Sequence, residues 1–195
     1  MPISRPGSRF ESGHIAALAW FGEPLAGAFV SGLHGTTYPA YCAANADDAH
    51  GVLSRSIRTF VVMTVPALAI GALVAHPLLR LLFSPAFQPL AVLLPIQLLA
   101  TYLRSMNVLL GIPLLARGRV VVLTTMHLGW AVVSAALATY GLGGSRTYVW
   151  ALVIAGVMQS VMLLAVLKGV RLAPSPRDVA WIAGGAFVVL LAGLV

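Results

Sequence analysis

The stretch "LLPIQLLATYLRSMNVLLGIPLLARGR", residues 93–119, is an apolar run that carries Arg104 near its middle. A helix needs about 20 predominantly apolar residues to cross the hydrocarbon core of a bilayer, and this run is long enough. Gln97, Thr101, Arg104, Asn107 and Gly111 follow one another at steps of three or four residues, which sets them along one helical face. A guanidinium at the bilayer centre costs at least ~2.5 kcal/mol, so that face should turn toward a bundle interior or a wet cavity. Two readings of Arg104 follow: a functional group facing a water-accessible lumen, or a structural arginine satisfied by neighbouring carbonyls or a carboxylate.

The rest of the chain has the same character. Of its 195 residues 59% are hydrophobic and 9% charged, with a mean hydropathy of +0.95, which excludes an ordinary soluble domain. Long apolar stretches recur, and the short alternating segments of an outer-membrane barrel are missing. The fold class is therefore all-α, a polytopic transmembrane helical bundle. Six spans are expected, at about 14–36, 59–82, 90–115, 120–141, 148–167 and 178–195, after a short extracytoplasmic tail at 1–13. Turn-forming phrases separate them: "SPAFQP" at 84–89, "RGR" at 117–119, "GLGGSR" at 141–146 and "APSPR" at 173–177. Connections this short make sequential helices antiparallel neighbours. The longer one, "YCAANADDAHGVLSRSIR" at 41–58, predicts a short interfacial helix that starts at Asp47 and Asp48, with Leu53 and Ile57 on one face.

The net charge of +7 comes from basic residues scattered singly between apolar spans, a pattern unlike a nucleic-acid-binding stripe. Arg55, Arg58, Arg117, Arg119, Lys168, Arg171 and Arg177 fall in the first, third and fifth loops, against Arg5, Arg9, Arg80 and Arg146 on the other side. The positive-inside rule makes the first set cytoplasmic and the N-terminus external. Arg5 and Arg9 precede an apolar run as in a signal peptide, but Glu23 and Pro24 interrupt that run, which reads as a retained helix. An external N-terminus without a signal suggests further chain upstream. Cys42 is the single cysteine, which excludes an intramolecular disulfide.

Polar residues inside the other spans supply the remaining candidates. Glu23 is the acid in the first span and a natural partner for Arg104, and Pro24 beside it predicts a kink or a hinge, as does Pro66. Gly27, Ser31 and Gly35 form a small-residue ridge suited to helix packing. Thr124, His127 and Ser134 share a face, with His127 either a hydrogen-bonded packing residue or a proton relay. Gln159 reads as interhelical glue, and Trp20, Trp130, Trp150 and Trp181 as interfacial or packing aromatics. No H-E-x-x-H, Walker A loop, G-x-S-x-G or pair of carboxylates within a span is present, so the sequence points away from an enzyme, and no cofactor or metal is expected.

Three phrases carry a resemblance. "YPAY" at 38–41 precedes an acidic-then-basic loop from Asp47 to Arg58; "AHPLLRLLFSPAF" occupies 75–87; "LARGR" occupies 115–119. Together they resemble the second half of polysaccharide flippases of the MATE-like exporter superfamily, over about residues 13–170. The resemblance implies a bacterial inner-membrane, multi-pass protein that forms one lobe around a central cavity. It implies translocation of a polyprenyl-diphosphate-linked oligosaccharide, for polysaccharide or lipopolysaccharide biosynthesis, by alternating access. The six spans would match the eighth to thirteenth helices of that family, consistent with an external N-terminus. The first lobe would come from the rest of a longer protein, a partner chain or a second copy. Arg104 would suit the diphosphate, and Glu23 would hold Arg104 between substrates or take part in cation coupling, while Gln97, Thr101, Asn107 and His127 complete the candidate cavity set. A multidrug or cation antiporter lobe of the same superfamily and a non-transporting membrane protein are the alternatives.

Overall fold

The computed structural model describes residues 27–74, 91–140 and 144–193, with isolated positions between 77 and 81. Described residues form six helices: α1 (27–43), α2 (Ala46–Leu73), α3 (Leu94–Ala116), α4 (Val120–Tyr140), α5 (Gly144–Gly169) and α6 (Pro176–Ala192). Four of them contain segments long and apolar enough to cross a membrane: Asp48–Leu73, Leu94–Ala116, Val120–Leu137 and Arg146–Gly169. The described residues thus form an all-helical membrane protein. α6, at 17 residues, reaches about 26 Å at the usual helical rise, short of a full hydrocarbon core. Glu23 and Pro24, the tail at 1–13 and the "SPAFQP" turn lie outside the described residues.

The segment at 41–58 is not a loop with a short interfacial helix. α1 continues to residue 43, and after a two-residue turn α2 runs unbroken from Ala46 to Leu73. Leu53, Ile57, Phe60, Val61, Val65, Leu68 and Ala72 recur at steps of three and four and are all buried, so one apolar stripe links the polar first turns to the membrane-long part. Arg55 lies on the opposite, exposed face, Arg58 on the flank toward α6, and Ser56 is buried against α1, where its hydroxyl meets that of Thr37 at 3.0 Å. Their polarity reads as a loop in a hydropathy window, although each has a place on a helix.

α3 is the hub. Of its membrane-long window 83% is buried, against 11% for α4. α2 packs on it through Phe60 against Tyr102 and Leu98 against Gly71, α5 through Gly156 beneath Leu103, and α4 through Leu123 against Gly111. α6 packs on α2 and α3, not on its predecessor α5. Tyr102 donates its hydroxyl hydrogen to the Ile182 carbonyl at 3.0 Å, and Gly185 lets the same hydroxyl come close. Antiparallel packing of neighbours in sequence therefore holds for α2 to α5 and fails at the last step. The more polar helix sits inside and the more apolar outside, the arrangement a hydrocarbon solvent demands. The Gly27–Ser31–Gly35 ridge does not act as a packing surface among the described residues, since a Cβ at Gly27 or Gly35 would meet nothing within 4 Å.

Helix ends gather at the cation-rich side. α3 ends in a Schellman turn: Gly118, at φ 69°, and Arg119 donate their N–H groups to the Leu115 and Leu114 carbonyls. α5 ends the same way, with Arg171 at φ 58° in the left-handed position. α6 starts from a capping box, in which the Ser175 hydroxyl accepts the Asp178 N–H and the Asp178 carboxylate accepts the Ser175 N–H. That carboxylate is buried, and it also accepts from the Ser54 hydroxyl at 2.8 Å and Arg58 Nε at 3.3 Å. α2 and α6, parallel neighbours, are thereby pinned at their starts.

Candidate functional site: a polar cavity beside Arg104

A cavity of about 440 Å³ opens between α1, α3, α4 and α5. α3 contributes Gln97, Thr101 and Arg104, α4 contributes Trp130 and α5 contributes Tyr148. These lie in the half of the bundle away from the cation-rich ends, from Gln97 in the first turn of α3 to Arg104 near its middle. Arg104 is exposed although its neighbours on α3 are buried, and its guanidinium carbon lies 5.3 Å from the centre of the Trp130 ring. Cation–π attraction of this kind strengthens where water is scarce. It holds the guanidinium at the cavity wall.

Two polar atoms on residues that line the cavity, Gln97 Oε1 and Trp130 Nε1, are buried without a hydrogen-bond partner among the described residues. An orphaned buried polar group costs about 1–3 kcal/mol unless water or a ligand satisfies it. The residues around the cavity thus carry a guanidinium, an indole N–H, a threonine hydroxyl and an amide inside an otherwise apolar bundle. That lining suits a group rich in acceptor oxygens.

Asn107, expected on the same face, is turned elsewhere. Its Nδ2 donates to the Gly156 carbonyl at 3.0 Å and to Gln159 Oε1 at 3.2 Å, and its Oδ1 accepts from the Ser160 hydroxyl at 2.7 Å. Ten residues of helix fall about 80° short of three full turns, which swings Asn107 away from Gln97 and into α5. It fastens α3 to α5, with Gln159 as the interhelical contact expected for it. His127 does not line the cavity either; its Nδ1 pairs with the Leu123 carbonyl at 2.9 Å. Glu23, the expected partner of Arg104, lies outside the described residues. Sequence reasoning passed over Trp130 and Tyr148 as cavity groups, because an aromatic in a membrane helix carries no signal of which neighbour it faces.

No known protein family, curated protein or solved structure matches the chain.

Proposed function

We propose that this chain forms one lobe of a MATE-like flippase in the bacterial inner membrane, translocating polyprenyl-diphosphate-linked oligosaccharide for surface polysaccharide or lipopolysaccharide assembly. The observation that supports it is the cavity beside Arg104, a donor-rich hollow in the middle of a membrane-long bundle. In this reading all six helices are embedded in the membrane, the cation-rich ends face the cytoplasm, and the cavity lies toward the external leaflet. Arg104 pairs with diphosphate oxygens, Thr101 and Trp130 donate to phosphate or sugar oxygens, and Gln97 Oε1 accepts from a sugar hydroxyl. Alternating access needs a second lobe across the cavity, from the rest of a longer protein, a partner chain or a second copy.

Export of surface polysaccharide, measured beside membrane protein level, tests this reading. Arg104→Ala should reduce export about tenfold or more at unchanged level, as expected for loss of a charged hydrogen bond of ~1.5–3 kcal/mol, and Arg104→Lys should restore part of it. Unchanged export, or a fall that merely tracks protein level, would leave Arg104 a structural residue.

A further inference from the structure

We infer that the groove between α2 and α6 binds an anionic phospholipid from the leaflet at the cation-rich end of the bundle. The inference rests on membrane embedding and is independent of the flippase reading. The groove, about 770 Å³, has Arg58 and Arg177 at its mouth, and Val62, Val65, Pro66 and Val188 among its deeper walls. α2 and α6 run parallel from the charged end, so headgroup-binding and chain-binding residues are already sorted by depth. From Arg177 to Val188 the helix rises about 16 Å, which is half the thickness of a typical hydrocarbon core. The groove therefore spans one leaflet.

Its shape comes from residues that leave space. A Cβ at Gly184 would meet nothing within 4 Å, whereas one at Gly185 would strike Val65 and Tyr102, so Gly184 faces the open trough and Gly185 seats the helix. Trp181, 46% exposed, stands one turn below Arg177 at the depth where indoles favour the headgroup boundary. The charge is specific too. Asp178 is buried beneath the mouth and takes the Nε hydrogen of Arg58 at 3.3 Å, which fixes that side chain while it stays half exposed. Arg177 is exposed beside it. Basic residues beside an apolar trough between membrane helices select anionic over zwitterionic headgroups. A second copy of this chain docking groove to groove would set Arg58 and Arg177 against their own equivalents, which like-charge repulsion opposes.

The test is native mass spectrometry of the full chain released from mixed phosphatidylglycerol and phosphatidylcholine vesicles. Wild type should retain phosphatidylglycerol over phosphatidylcholine. Arg177→Gln, at an exposed position whose side chain takes no part in the Ser175–Asp178 capping box, should lose about fivefold of that preference, the equivalent of ~1 kcal/mol for one basic residue at an anionic surface. Gly184→Leu, whose Cβ would meet nothing within 4 Å and whose side chain would occupy the trough, should reduce retention of both lipids. Equal retention of the two lipids by wild type, or retention unmoved by both variants, would overturn the assignment. So would a bound second chain that Gly184→Leu releases while Arg177→Gln does not.

Discussion

Arg104 and Asn107 stand three residues apart on the same helix and do different work. Arg104 borders the cavity over Trp130, whereas the amide of Asn107 is spent on Gly156, Gln159 and Ser160 of α5. Interhelical hydrogen bonds in membranes average ~0.6 kcal/mol, so Asn107→Leu, which removes three, should destabilise the bundle by about 1–2 kcal/mol. Thermal unfolding in detergent checks this, and an unchanged midpoint would contradict the role given to Asn107. Arg171 makes the opposite case. It holds φ 58° at the end of α5, a conformation that costs a non-glycine residue about 1 kcal/mol, so Arg171→Gly should raise the same midpoint. The stripe from Gln97 to Arg104 was legible in the sequence because three- and four-residue steps keep it within a narrow arc. Asn107 was misplaced because the drift of the helix accumulates over ten residues.

At the scale of elements, what decides position is the packing surface each helix offers. α3 was legible as the helix with a polar face, yet nothing in its own residues says which neighbours surround it. Burial of 83% follows from small residues on partners, such as Gly156 and Gly185, that admit Leu103 and Tyr102. A Cβ at Gly185 would lie 2.5 Å from the Tyr102 hydroxyl and 2.9 Å from Val65 Cγ2. Gly185→Ala should therefore cost about 1–3 kcal/mol by overpacking, while Gly184→Ala, one residue away and facing open space, should be neutral or slightly stabilising through helix propensity. Equal effects at the two positions would refute this docking of α6. The start of α2 was misread because hydropathy averages over all faces of a helix. Leu53 and Ile57 were correctly put on one face, but Ser54, Ser56 and Arg58 pair with neighbours instead of marking a loop.

For the whole molecule, the up-and-down packing from α2 to α5 brings the cations counted on the first, third and fifth connections to one end. Cys42, exposed in α1 close to its turn into α2, reports on that end without any engineering. A membrane-impermeant maleimide should leave it unlabelled in intact cells and label it after permeabilisation; labelling in intact cells would invert the orientation. A cavity that works as proposed is wet beside Arg104 while the surrounding helices face lipid. Its direct test is the reactivity of Thr101→Cys in a Cys42→Ser background toward a small charged thiosulfonate, compared with Val132→Cys on the exposed face of α4. The cysteine at 101 should react in native membranes while the one at 132 reacts only with a lipid-soluble reagent. If both are equally inert to the charged reagent, the cavity is closed to water and the part assigned to Arg104 is wrong.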